Sequence, residues 1–82
     1  MTEAELKAII IEGLRKVAPE SDPAALLPGQ KIRETLDIDS FDFLNFLISL
    51  HEKLGTEIPE ADYGRLNTLE SMTRYLLAKM TK

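Results

Sequence analysis

Ser40 lies in the run Leu36-Asp37-Ile38-Asp39-Ser40-Phe41-Asp42, where a polar stretch gives way to the most apolar helical segment of the chain. A hydroxyl at such a junction can cap the helix, accepting a bond from an amide two or three residues on, or it can stand out as an attachment point. As a nucleophile it lacks a partner. The single histidine, His51, lies eleven residues further on. At ~1.5 Å rise per residue that places it roughly 16 Å away along a helix, so direct Ser–His chemistry is excluded while the helix is intact. His51 therefore reads as an ordinary surface or boundary residue.

The acids around Ser40 superficially suggest a cation loop. With Asp37 as position 1, however, Phe41 stands at position 5, Asp42 where glycine is required and Ile48 where the closing glutamate belongs. The chain has no cysteine and one histidine, so thiolate and multi-histidine zinc sites are also excluded. No metal site is expected. Nor does any convergent set of acid, base and nucleophile point to an enzyme.

The charge is unevenly placed. Residues 34–62 hold eight acids (Glu34, Asp37, Asp39, Asp42, Glu52, Glu57, Glu60 and Asp62) and one base, Lys53. Residues 1–33 are balanced, and residues 63–82 are basic. The negative field around Ser40 repels nucleic acid and attracts basic protein surfaces. Ordinary solubilising charge would account for it equally well.

Eighty-two residues make one domain, expected to span residues 1–82. At this length roughly 60–65% of the extended-chain surface can be buried, enough for a core but not for a deep cleft. With 44% apolar residues the composition is that of a globular protein. The apolar stretches are too short and too interrupted by charge to span a bilayer. Met1-Thr2-Glu3-Ala4-Glu5 lacks the positive and apolar regions of a signal peptide, so a cytoplasmic protein is expected.

The elements that must position Ser40 are helical. Leu6, Ile9, Ile10, Leu14 and Val17 recur at helical spacing, predicting a helix from Glu3 to about Ala18, with Ile11 off the stripe and Pro19 at the exit. Residues 19–36 read as a long connection carrying three prolines and Gly29, pinned onto the helices by Leu26, Leu27, Ile32 and Leu36. A second helix is predicted from about Ser40 to Leu54, capped by Asp39 or Ser40 and stopped by Gly55. Its inner face carries Phe43, Leu47, Leu50 and Leu54, with Leu44 and Phe46 at the edges; Phe41, Asn45, Ile48 and Glu52 lie opposite. Ile58 to Tyr63 is predicted as a short helical turn. A last helix runs from about Thr68 to Lys79, capped by Asn67 or Thr68, with Leu69, Met72, Tyr75, Leu76 and Met80 on its apolar stripe. Phe43, Phe46, Met72 and Met80 read as core. No segment alternates with the period of a strand. The predicted fold is all-α, a small four-helix bundle of three main helices and one short one, with a long first loop.

Capping explains a polar residue at position 40 but not the large apolar Phe41 and Ile48 on the outer face beside it, which suit a docking surface. Asp39-Ser40-Phe41 resembles the Asp-Ser-Leu signature of acyl carrier proteins. The likeness extends to Leu36 upstream, Asp42, Leu44, Leu47, Leu50 and Leu54 along the helix, Ile58-Pro59, and Leu69, Tyr75 and Leu76 in the last helix. It covers nearly the whole chain, including the long first loop.

The resemblance implies that Ser40 carries 4′-phosphopantetheine, transferred from coenzyme A by a phosphopantetheinyl transferase, with Asp39 orienting the attachment site. The arm would tether acyl intermediates as thioesters for partner enzymes of fatty-acid, polyketide or related lipid biosynthesis. The chain would be their substrate, not a catalyst, and a monomer that docks transiently. Phe41, Asn45 and Ile48 would form the recognition face, with Asp37, Asp42 and Glu52 meeting basic residues of the loading and transferring enzymes.

Two departures from the family pattern stand out. Phe41 replaces leucine, and Asn45, Ser49, His51 and Lys53 dilute the acids of the recognition helix. Phe43 and Phe46 make its inner side bulkier. These departures suit a specialised carrier, including one for an amino-acyl or other small group. The competing reading is an unmodified helical interaction module for which Ser40 is dispensable.

Overall fold

A computed structural model describes residues 2–80; Met1, Thr81 and Lys82, which the charge count and the expected 1–82 domain include, lie outside the described residues. The first helix, α1 (Glu3–Val17), starts at a reciprocal cap: Thr2 Oγ1 accepts from the Glu5 amide at 3.1 Å, and the Thr2 amide donates to Glu5 Oε1 at 3.0 Å. That bond to the backbone amide holds the Glu5 carboxyl below its ordinary value. Leu6, Ile10 and Leu14 are fully buried along one stripe, and Ile11 is half-buried, as its place off the stripe requires.

The long connection is more structured than its prolines and glycine suggest. It contains a 3-10 turn (Pro23–Ala25) and a five-residue helix, α2 (Ile32–Leu36). Leu26, Ile32 and Leu36 pack into the core, but Leu27 does not: at 62% exposure it cannot pin the loop. It sits in a tight turn in which its amide donates to Gln30 Oε1 and its carbonyl accepts from the Gln30 amide, and this turns its side chain outward. Backbone bonds replace it as anchors. The Ile32 amide donates to the Asn67 carbonyl at 2.8 Å, and the Glu70 amide donates to the Pro28 carbonyl at 3.0 Å. An isolated antiparallel bridge joins Lys31 to Thr68, and no strand occurs among the described residues.

Helix α3 (Ser40–Leu54) buries Phe43, Phe46, Leu47 and Leu50 and ends at Gly55, whose φ of 64° is the left-handed conformation that glycine adopts without a steric cost. The short helical turn expected over Ile58 to Tyr63 is a 3-10 segment (Glu60–Leu66), starting two residues later and ending three later. Thr68 caps the last helix, α4 (Leu69–Met80), through Oγ1 to the Ser71 amide at 3.1 Å; Asn67 instead contributes its carbonyl to the loop anchor. Helix α1 packs against both α3 and α4, and α4 against the 3-10 segment. One core joins all of them.

Helices α1 and α3 meet tightly at Gly13. A Cβ placed on Gly13 would lie 2.8 Å from Cε1 and 3.1 Å from Cδ1 of Phe46, whose side chain is 1% exposed. The ring therefore rests on the α1 backbone where only glycine leaves space. Two effects oppose each other on substitution. Alanine is favoured over glycine in a helix interior by about 1 kcal/mol. Overpacking a filled core costs about 1–3 kcal/mol, and a ring held on all sides cannot swing away. Gly13→Ala is therefore expected to lower stability, by about 1 kcal/mol in urea denaturation, and to raise it in a Phe46→Leu background where the ring is absent.

Elsewhere, Tyr75 Oη donates to Asp62 Oδ2 at 2.6 Å, tying α4 to the 3-10 segment. Burial first, and then the bond to the Asp62 carboxylate, push the Tyr75 phenol up from 10.0 to about 12. Because the folded value lies above the unfolded one, the stabilisation is complete below pH ~10 and is lost as pH rises through about 12. The melting temperature is expected to fall across that window, and Tyr75→Phe to flatten the part of the fall that coincides with phenolate absorbance.

Candidate attachment site at the start of helix α3

The site is built by the turn between α2 and α3. Helix α2 ends at Asp37, which adopts the left-handed conformation (φ 54°, ψ 48°), and the Ile38 amide donates back to the Arg33 carbonyl at 3.0 Å. Aspartate tolerates this region better than most residues that carry a Cβ. Ile38 then enters the core at 6% exposure, while Asp39 and Ser40 face solvent. Two further bonds fix the turn: Ser21 Oγ donates to the Leu36 carbonyl at 3.2 Å, and Arg33 Nε to the Ile38 carbonyl at 3.4 Å.

Of the two jobs open to Ser40, capping falls to its neighbour. Asp39 is the cap, its Oδ1 accepting from the Asp42 amide at 2.8 Å, and the Phe43 amide donates to the Asp39 carbonyl at 3.0 Å. Ser40 is the first helical residue, exposed, and its Oγ makes no hydrogen bond among the described residues. The amides of Ser40 and Phe41 are also without a partner among the described residues, as the first donors of a helix are. An unengaged hydroxyl thus stands beside two unengaged N–H groups at the positive end of a fifteen-residue helix, where a negative group is favoured.

Beside Ser40 opens a cleft of about 670 Å³. Buried Ile38, Phe43 and Leu47 give it an apolar floor, with the exposed Leu44 and half-buried Tyr63 at its sides, and Lys31, Arg33, Glu34, Asp37 and Asn67 supply its polar lining. Lys31 and Glu34 pair across 4.0 Å. The bases on this rim balance its acids, so the cleft is not a continuation of the negative field read from the sequence. Neither Lys31 nor Arg33 stands out in the sequence, because Lys31 is the N-cap residue of the short α2 and Arg33 belongs to it, and the fold of the long connection brings both back to Ser40.

The expected recognition residues fall into two groups. Phe41, Asn45, Ile48 and Glu52 form one exposed stripe along α3, with Phe41 at 70% and Ile48 at 46% exposure. Leu44 borders it, more exposed than its place at the edge of the inner face suggested. Asp42 is half-buried, its amide engaged by the cap, and lies beside the stripe. Asp37 is not on α3 at all; it shapes the turn and lines the cleft. His51 is exposed on the last turn of α3, far along the helix from Ser40. No cluster of three or more metal-ligating residues occurs among the described residues.

Residues 5–76 match the family described as "Phosphopantetheine attachment site". An acyl carrier protein of Campylobacter jejuni subsp. jejuni serotype O:23/36 is 32% identical over 72 residues, covering 88% of this chain and 87% of the relative. The acyl carrier protein of Thermosynechococcus vestitus is 28% identical over 76 residues, covering 93% and 88%. That of Rubrobacter xylanophilus is 30% identical over 60 residues, covering 73% and 74%. The matched span runs from the first turn of α1 into α4 and includes every element that positions Ser40. By fold and by sequence alike, the chain belongs to the acyl carrier protein family, whose cofactor is 4′-phosphopantetheine.

Proposed function

We propose that Ser40 carries the 4′-phosphopantetheine arm, and that the chain is a single carrier domain that tethers acyl groups and presents them to partner enzymes. The observation that carries this reading is the division of labour at the start of α3: Asp39 caps, leaving the Ser40 hydroxyl exposed and unengaged. The residues present fit the group. A phosphodiester on Ser40 Oγ would stand at a helix start whose first amides are unpaired, and Lys31 and Arg33 in the cleft lining would supply positive charge nearby. When attached, the arm supplies a thiol that holds an acyl group as a thioester, chemistry that no residue of this cysteine-free chain provides.

The chain itself supplies presentation and recognition. Phe41 and Ile48 form an apolar stripe framed by Asn45 and Glu52, while Asp37, Asp39 and Asp42 cluster about the helix start. That combination suits phosphopantetheinyl transferases and acyl-loading and acyl-transferring enzymes with basic rims and an apolar centre. The carrier acts as a monomer in the cytoplasm, and no helix of the described residues is long and apolar enough to cross a membrane. Its pathway belongs among fatty-acid, polyketide and related lipid syntheses, with the diluted acids of α3 favouring a specialised branch.

Incubation with coenzyme A and a broad-specificity phosphopantetheinyl transferase, followed by intact mass measurement, is expected to show a single adduct on the wild type and none on Ser40→Ala. Absence of any adduct with several such transferases would refute the carrier reading and leave an unmodified interaction module. The role of Asp39 separates into capping and charge. Asp39→Ala is expected to lose about 1 kcal/mol of stability. Asp39→Asn keeps the cap and is expected to be as stable as wild type, yet to be modified more slowly because the carboxylate charge is gone. Equal modification rates for Asp39→Asn and wild type would confine Asp39 to capping.

A further inference from the structure

We propose that the groove between the 3-10 segment (Glu60–Leu66) and the outer face of α4 is a second docking surface, one that takes an acidic segment of a partner protein. The groove measures about 870 Å³, larger than the cleft beside Ser40. Gly64 and Asn67 line both hollows, so the two adjoin.

Its charge is the reverse of that on α3. Arg65, Arg74 and Lys79 bring three cations to the lining, against the acids Asp62 and Glu70. Both acids are already engaged: Glu70 pairs with Arg74 at 3.0 Å, and Asp62 accepts from the Tyr75 hydroxyl at 2.6 Å. Arg65 and Lys79 make no ion pair among the described residues; Lys79 stands instead 5.4 Å from the centroid of the Tyr75 ring. A partner's carboxylates supply what these two cations lack, and Tyr75 and Ala78 offer apolar surface in the same lining. The groove is carried by the basic end of an acidic chain: residues 63–82 hold four bases and one acid, whereas residues 34–62 hold eight acids and one base. The stripe on α3 repels an acidic segment, and the groove admits it, so the two surfaces select partners of opposite sign.

Gly64 is the second observation. It lies inside a helical segment, where glycine is disfavoured. Unlike Gly55 it has no positive φ, and unlike Gly13 it has no close neighbour, since a Cβ placed there would meet nothing within 4 Å. Folding does not require glycine at this position. What its missing side chain provides is a low wall between the two hollows, across which a segment lying in the groove reaches the edge of the Ser40 cleft.

The test uses the full chain without an arm, so its outcome is separate from whether Ser40 is modified. A short peptide of glutamate and leucine is titrated into isotope-labelled protein while amide shifts are followed, with a peptide of lysine and leucine as its counterpart. The acidic peptide is expected to shift Gly64, Arg65, Arg74 and Lys79 but not the α3 stripe, and the basic peptide to leave the groove unshifted. The exposed Arg65 and half-buried Lys79 can be changed without opening the core, and Arg65→Gln with Lys79→Gln is expected to weaken the acidic peptide about tenfold. Gly64→Ala is expected to raise the melting temperature, and a fall would overturn the argument from the glycine. Absence of binding, shifts spread equally over all exposed bases, or undiminished affinity in the double variant would overturn the docking surface. Shifts at the groove that grow with protein concentration alone would assign it to a second copy of the chain and overturn the acidic partner.

Discussion

The contact of the Phe46 ring with the α1 backbone at Gly13 sets the distance between α1 and α3, and the placement of the remaining elements depends on it. Helix α1 is the common partner of α3 and α4, so its spacing from α3 decides how the rest of the core closes. Dense packing makes such a contact felt at a distance: interiors resemble crystals more than liquids, and a shift of one carbon cannot be absorbed locally. The glycine costs helix propensity. What it permits is a large aromatic ring at the centre of a small domain, where one ring buries as much apolar surface as two smaller side chains would.

With α3 fixed, the start of that helix becomes a rigid platform, and the remaining devices serve to present it. Asp37 turns the chain, Ile38 anchors the turn in the core, and Asp39 satisfies the amide that would otherwise compete for the serine hydroxyl. None of these residues needs to activate Ser40. On the proposed reading the chemistry of attachment falls to another enzyme, so the demands on this chain are exposure, orientation and a tolerable electrostatic setting. The mixed charge of the cleft rim answers the last of these: Lys31 and Arg33 offset carboxylates that would otherwise oppose an incoming phosphate.

The helices were legible because their apolar residues repeat with helical period, and the bounds of α3 followed from Asp39 at one end and Gly55 at the other. The Thr2–Glu5 cap was equally readable as a threonine three residues before a glutamate, a signal that the apolar stripe overshadowed. The long connection was not legible. Helix α2 is too short for periodicity to register, and its position depends on backbone bonds to Asn67 and Glu70, residues more than thirty positions away. For the same reason Leu27 was misplaced: hydrophobicity marks a residue as able to be buried, but the turn through Gln30 decides where it points. Ser40 and the outer stripe of α3 could be read from local pattern. The cleft could not, because Lys31, Arg33 and Asn67 meet only after the loop folds back. Asp37 carried a double signal, and its charge concealed its conformational role.

The clasp between the long connection and the start of α4 has a consequence for the order in which the molecule assembles. It joins Lys31 to Thr68, enclosing about 37 residues and the whole of α3. Helical turns form from neighbours and nucleate quickly, whereas this closure must wait until the chain ends it joins have been brought together. The segment that displays Ser40 is therefore expected to be completed after the helices have formed. By the same logic it belongs to the part of the structure that opens with the clasp, so amide exchange at Ile32 and Glu70 reports how often the start of α3 loses its support.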